Sequence, residues 1–205
     1  MEIKEALTEL RKLEKRKFVQ GVDLIVNLRG IDVKRDNIST IISIPHPHKE
    51  KNVCGFLTKK SNLINTVTQP DFPKYKDKKP LKKLVTGYDF FIAAAPLMPS
   101  VASTFGKALG PSGKMPSPQL GILPVEDENA IKTMLEKINH SIKVRVKESS
   151  IKVSVGKESM KDDDLLENVR AVFNGIVAAL PTKRENVRSV MLKFSMTKPI
   201  KVEIK

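Results

Sequence analysis

Lys143, Arg145 and Lys147 alternate with Ile142, Val144 and Val146. On a strand, alternate residues share a face, so the three cations would project together at intervals of about 6.6 to 6.8 Å over an apolar underside. Such a row can meet successive phosphates of a polynucleotide. The same pattern fits a solvated sheet face, so the spacing alone leaves both readings open. Residues 106–114 suggest a nucleotide loop, but a P-loop requires Gly, four residues, then Gly-Lys-Ser/Thr. Counting back from Gly113-Lys114, the first position is Ala108, and Met115 stands where the hydroxyl is needed. His46, His48 and Cys54 are ligand types, yet Pro45 and Pro47 favour a plain connecting segment. Asp162-Asp163-Asp164 fits the acidic first turn of a helix. His140 has no identifiable nucleophile or carboxylate partner. No catalytic constellation, metal site or cofactor is expected, and the chain does not read as an enzyme. Lys74-Tyr75-Lys76-Asp77-Lys78-Lys79 with Lys82-Lys83 reads as a solvated charged run or an electrostatic RNA contact.

Composition narrows the partners. The 205 residues carry 37 Lys/Arg against 23 Asp/Glu, a net charge of +14. Like charges repel in a compact chain, and a polyanion that releases counterions is the usual reason to keep such an excess. The single cysteine excludes an internal disulfide. No apolar run has membrane-spanning length, and residues 1–17 lack the apolar stretch of a signal peptide. A soluble intracellular protein with no membrane partner is expected.

Positioning these residues requires regular elements. Ile3, Ala6, Leu7, Leu10 and Leu13 have helical spacing. Val22, Leu24, Val26 and Leu28 alternate as a strand, as do Ile38, Thr40, Ile42 and Ile44, until Pro45 ends the run. Val53 to Leu57 reads as a buried strand, Leu63 to Val67 as a short helix, and Pro70 to Lys83 as an exposed segment. Phe90 to Ala95 is a strand covered on both faces, followed by a helix over Leu97 to Leu109 and a loop over Gly110 to Pro118. A helix opens at Glu126-Asp127-Glu128 with the stripe Ile131, Met134, Leu135 and Ile138. The strand of Ile142, Val144 and Val146 is expected to pair antiparallel with that of Ile151, Val153 and Val155. A long helix runs from Asp162 to Pro181. Val190, Leu192 and Phe194 mark one further strand, and Ile200, Val202 and Ile204 another.

The two ends share a half-buried style and the middle a buried α/β style. This predicts an α/β protein in which residues 1–50 and 124–205 build one discontinuous domain and residues 51–123 an inserted one, with proline clusters as hinge linkers. The middle carries 11 Lys/Arg against 3 Asp/Glu and the remainder 26 against 20, so both parts are basic.

Gly110-Pro111-Ser112-Gly113-Lys114-Met115-Pro116 resembles the Gly-Pro-Arg-Gly-Lys/Leu-Met-Pro signature of the universal L-one family of large-subunit ribosomal proteins. The resemblance extends to Phe18–Leu28, Tyr88–Ala93 with Leu97-Met98-Pro99, Leu166–Val172, and Ser195-Met196 with Ile200-Lys201-Val202. Its wording is closest to archaeal and eukaryotic members. It implies a discontinuous two-layer α/β domain with an inserted three-layer, Rossmann-like α/β domain on a hinge. It also implies a stalk element of large-subunit rRNA as partner, other ribosomal components around it, transient contact with exit-site tRNA, and in bacterial and archaeal members a similar element in their own mRNA. Carried over by motif, the RNA surface includes Lys17, Phe18, Gly21, Ser195, Met196, Thr197 and Lys198, to which the residue pattern adds Lys143, Arg145 and Lys147. Pro45 and Pro47 mark the hinge, and Gly110, Pro111, Gly113, Lys114, Met115 and Pro116 the inserted-domain signature. Gly21 stands where the family has Thr or Ser, Thr197 where it has Gly, and Ser112 where it has Arg.

Overall fold

The structure, a computed structural model, describes residues 1–13, 16–32, 38–75 and 77–204. In chain order the elements are α1 (Ile3–Lys12), β1 (Gly21–Leu28), β2 (Ser39–Ser43), β3 (Val53–Phe56), β4 (Asn65–Val67), α2 (Lys78–Gly87), β5 (Phe90–Ala94) and α3 (Met98–Ser112). They continue as β6 (Ile122–Leu123), α4 (Glu128–Asn139), β7 (Ser141–Arg145), β8 (Ser150–Lys157), α5 (Asp162–Ala179), β9 (Val187–Phe194) and β10 (Ile200–Val202). They form two compact units, Met1–His48 with His140–Lys205, and Lys49–Asn139.

Alternation dictates the first unit. Val22, Leu24, Val26 and Leu28 are buried from β1, and β8 and β9 present matching rows on either side of it. The result is an antiparallel sheet of order β10-β9-β1-β8. Helices α1 and α5 bury their stripes in the same core. The Asp trio opens α5 as expected and also anchors α1: Arg11 meets Asp162 at 2.7 Å and Lys4 meets Asp163 at 3.1 Å. The Arg11 guanidinium further donates to the carbonyls of Glu158 and Met160.

Strands β2 and β7 form a separate two-stranded sheet, in which Ile42 faces Ile142. The expected pairing of β7 with β8 does not occur: β7 takes β2 and β8 takes β1. Gly175 of α5 lets the small sheet close, since a Cβ there would lie 2.7 Å from the Ile42 side chain. Asn168, fully buried on the same helix, fastens the segment after β2. It accepts from the His46 N–H at 3.0 Å and donates to the carbonyls of His46 at 2.7 Å and Val155 at 3.0 Å.

In the second unit four parallel strands lie in the order β4-β3-β5-β6. Both crossovers, through α2 and α3, run the same way along the sheet, and these helices pack on each other. The core is aromatic: Phe56 stacks on Phe91 at 5.6 Å, while Phe105 meets Phe56 at 4.8 Å and Phe72 edge-on at 5.1 Å. Three expectations are corrected here. Residues 65–67 are an edge strand, not a helix, because pairing with β3 outweighs weak local preference. The segment from Pro70 to Lys83 is exposed at its described lysines, as expected, but not throughout: a 3-10 turn, Gln69–Tyr75, buries Phe72, and α2 starts at Lys78. Lys76 of that charged run lies outside the described residues. Helix α3 runs through Gly110 and Pro111 to Ser112.

The chain returns to the first unit after α4, not near Pro124. Ile131 and Ile138 are buried outside the first unit's core, and Lys51 of the second unit binds α4's end, its backbone N–H to Asn139 at 3.2 Å and its ammonium to the Ile138 carbonyl at 2.6 Å. Helix α4 begins at Glu128. Glu126 instead accepts two bonds of 3.0 Å from the Thr58 N–H and one from the Thr58 hydroxyl. Among the described residues no helix is long and apolar enough to cross a membrane.

Replacing Asn168 by Leu keeps the volume and removes three bonds to buried backbone groups. The expected loss is about 1–3 kcal/mol of unfolding free energy, read by urea denaturation. An unchanged midpoint would show that the segment after β2 does not depend on this amide.

Candidate nucleic-acid interface

The start of β1 and the end of β9 are sheet neighbours, with Val22 opposite Phe194. This brings residues far apart in sequence within hydrogen-bonding range. The Gly21 N–H donates to Ser195 Oγ at 3.1 Å, and the Ser195 N–H to the Gly21 carbonyl at 3.0 Å. Gln20, buried to 2% exposure, ties in the third strand end. Its Oε1 accepts from the Met196 N–H at 3.2 Å, its carbonyl from the Glu158 N–H at 2.8 Å, and its Nε2 donates to the Glu158 carboxylate at 3.4 Å. With the backbone held from three sides, Phe18 (54% exposed), Val19 (60%) and Met196 (62%) stand in solvent. They are not core residues. Lys17 and Lys198 are exposed beside them in sequence.

Register defines the rest of this surface. On the sheet face opposite the helices, Asp23 lies between Ser154 and Lys193, and Ile25 between Lys152 and Met191, with Lys201 beyond Met191. Half-exposed Ile25 and Met191 are thus flanked by three lysines. Sequence reasoning missed these lysines and Gln20. The alternation in β8 and β9 held the signal, but only the pairing shows that the rows adjoin.

Lys143 and Arg145 lie on the other sheet, β2–β7, where they share a face with Ser39 and Ile41. The cation row is shorter than expected, because β7 ends at Arg145 and Lys147 lies beyond it. Burial first, and then repulsion from Arg145, lowers the pKa of Lys143. A phosphate there would relieve that repulsion. The structure therefore brings Gly21 to Ser195 and Gln20 to Met196, with Lys17, Phe18 and Lys198 exposed near them in sequence, and leaves Lys143 and Arg145 on a different sheet of the same unit, with Lys147 just past its end.

The alternative chemistries lose their geometry. Gly106 and Gly110 lie inside α3, towards its carbonyl end, whereas a phosphate loop needs the amide end of a helix after a strand. Doubly wound sheets take ligands beyond the carboxyl ends of their strands, and just past β3 the Thr58 donors are already held by Glu126. The His46 ring meets Glu167 at 3.0 Å, and burial pushes the Cys54 thiol up to about 12.

Residues 10–198 match the sequence pattern of the Ribosomal protein L1p/L10e family. The chain belongs to that family. It is 35% identical to the large ribosomal subunit protein uL1 of Thermofilum pendens, over 98% of this chain and 90% of that protein. Against uL1 of Pyrobaculum calidifontis the figures are 32%, 95% and 89%, and against uL1 of Korarchaeum cryptofilum 38%, 79% and 76%. Membership in the L1p/L10e family makes this a non-enzymatic protein of the archaeal and eukaryotic type.

Within the L1p/L10e family, the signature at residues 110–116 acts here as a structural latch. Gly113, at φ 73°, turns the chain out of α3, and the Lys114 N–H closes on the Leu109 carbonyl at 3.0 Å. The Lys114 ammonium then reaches the carbonyls of Val85 at 2.7 Å and Tyr88 at 2.6 Å, capping α2 with positive charge. Pro116 is buried, Met115 is half-buried, and Pro111 is exposed in the last turn of α3. Ser112, standing in for arginine, bonds back to the carbonyls of Ala108 and Leu109. Thr197 suits its place, because its hydroxyl accepts from the Phe194 N–H at 2.9 Å and its backbone has no positive φ. Pro45 and Pro47 are exposed around the pinned His46.

Gln20→Leu leaves the Met196 N–H and the Glu158 carboxylate short of a partner. Amide exchange at Gly21, Ser195 and Met196 is expected to rise at least tenfold while protection in mid-β1 persists. Uniform protection across both positions would rule out Gln20 as the organiser of this surface.

Proposed function

We propose that this protein is a constituent of the large ribosomal subunit, that it binds a folded stalk element of large-subunit rRNA, and that it assists release of deacylated tRNA from the exit site. The observation that carries the RNA-binding part is the exposure of apolar Phe18, Val19 and Met196 where β1 begins and β9 ends, a sheet end fastened by the Gln20–Met196 bond and bordered by lysines. An apolar pair held on a rigid backbone can lie against ribose and base surfaces in a shallow RNA groove, while Lys17, Lys198, Lys152 and Lys193 neutralise phosphates. The exposed Ser195 hydroxyl, held beside Gly21, could meet a 2′-hydroxyl. Lys143, Arg145 and Lys147 would contribute further phosphate contacts from the second sheet. The family resemblance and the names of the archaeal uL1 relatives support assembly into the large subunit. Motion of the stalk would use the two connections between the units as hinges, one following Pro45 and Pro47 and the other at residues 139–140. A similar element in the protein's own mRNA would fit the same surface and allow repression.

Phe18→Ala and Met196→Asp are each expected to weaken binding to the stalk rRNA by roughly ten- to a hundredfold with the fold retained, as loss of a buried apolar contact implies. Lys143→Gln and Lys147→Gln should each flatten the log–log salt dependence by about one unit. Filter binding across a salt series reads both effects. If all four variants bind as the unaltered chain does, the assigned surface is wrong. Release from large subunits in a high-salt wash would leave the mRNA role as the main one.

A further inference from the structure

Helix α2 carries a feature that the rRNA surface of the first unit does not use. From Lys78 to Tyr88 the sequence has four lysines and no carboxylate. Lys79, Lys82, Lys83 and Thr86 fall at i, i+3, i+4 and i+7, the spacing of a single helix face. In the structure these four residues and Gly87 line one open groove of about 520 Å³. All four lysines are exposed, and among the described residues none has a carboxylate within ion-pair distance.

This arrangement works against the helix that bears it. Lys78 and Lys79 sit in the first turn, where the macrodipole favours anions, and the acid at that end is the N-cap Asp77, whose side chain makes no capping bond. Lys78 with Lys82, and Lys79 with Lys83, are like-charge pairs at i, i+4, which oppose helix formation. Only Leu84 of α2 is fully buried, so packing offsets little of this. By contrast, the N-terminus of α5 carries three aspartates, two of which engage Lys4 and Arg11. A row of cations kept at a cost to its own helix needs its counter-charge from outside the chain.

We propose that the Lys79–Lys82–Lys83 face of α2 is a second RNA-binding surface, one that takes the phosphodiester backbone of structured RNA without reading sequence. Lys82 and Lys83 stand side by side one turn of helix after Lys79, so the ridge can meet neighbouring phosphates of one strand of a duplex, and Gly87, with no side chain and nothing within 4 Å of where a Cβ would stand, leaves the end of the groove open to a ribose. The Lys114 ammonium at the carbonyl end of α2 continues the positive potential. The choice of RNA as the polyanion rests on the function proposed above. A protein that grips one RNA through its first unit would meet a second RNA segment through this ridge at the raised effective concentration that linkage confers.

The test uses the full chain carrying Phe18→Ala and Met196→Asp and a fluorescent short RNA duplex of arbitrary sequence. Binding is read by anisotropy across a salt series. Adding Lys79→Gln, Lys82→Gln and Lys83→Gln together should weaken binding at least tenfold and lower the log–log slope by about two to three. A control with Lys59→Gln, Lys60→Gln and Lys107→Gln, exposed in the same unit, removes the same charge and should cost less than threefold. Equal losses from the two triples would mean net charge alone, and would overturn the ridge. An unchanged slope would overturn it too, as would loss of poly-glutamate binding with RNA binding retained. Because the lysines strain their helix, the ridge triple should hold or raise Tm; a fall would assign them a role in folding and sink the proposal. In an otherwise unaltered chain the ridge triple should leave high-salt binding to stalk rRNA intact. If Phe18→Ala and Met196→Asp fail to affect that binding, the first surface is wrong, while the ridge still stands or falls on the duplex.

Discussion

Both neighbours of β1 come from the other end of the chain. The bond between Gly21 and Ser195 joins residues 174 positions apart, and the intervening chain includes the whole second unit. Loop-closure entropy grows only logarithmically with length, so the insertion adds little to the cost of this pairing. Alternation secures the register. Shifting β9 by one residue would turn Val190, Leu192 and Phe194 out of the core and Met191 and Lys193 into it. The same register puts Met196 beside Gln20 and sets the lysine-flanked face of Ile25 and Met191. The core and the candidate surface are therefore two consequences of one pairing.

Two buried amides convert this pairing into a specific shape. Gln20 gathers three strand ends, and Asn168 holds the chain leaving β2 against α5 and β8. A buried amide is favourable only where its partners are in place, so each rewards a single backbone arrangement over its near alternatives. Lys114 does the equivalent in the second unit by closing the carbonyl end of α2. Residues that look like chemistry in the sequence, including the Asp trio and the lysine of a broken nucleotide motif, are accounted for here as fasteners.

What was legible in the sequence follows from the range of the forces involved. The buried faces of β1, β9 and α5 repeat over five residues or more, and their apolar periods announced them. Strand β4 has three residues and owes its form to β3, so nothing local reveals it. Helix α2 was hidden by Pro80 and its lysines, and its apolar contribution is essentially Leu81 and Leu84. The pairing of β7 with β8 was inferred from adjacency, but adjacency does not fix partners, and the close fit of Gly175 to Ile42 draws β2 over α5 to meet β7 instead. For the surface, family motifs supplied Phe18 and Met196, whose exposure no periodicity could have shown. Gln20 lay in plain view between them and Gly21, yet a lone glutamine has no signal until its three partners are known.

Charge is distributed differently in the two units, and the difference bears on how each can meet RNA. In the first unit, carboxylates interleave with cations, and Asp23 and Glu158 lie within or beside the candidate surface. An RNA approaching there meets mixed charge and must match shape to gain contact, which favours discrimination over bulk attraction. The second unit, Lys49–Asn139, carries 14 Lys/Arg against 8 Asp/Glu, but none of these carboxylates falls between Lys78 and Tyr88, and Asp71 and Asp89 are paired with Lys74 and Lys49. Its remaining positive charge acts over a Debye length with little orientation preference. On the functions proposed above, a selective grip by one unit and an unselective attraction by the other would let the protein stay with one RNA while engaging another, because only the first contact would depend on fit.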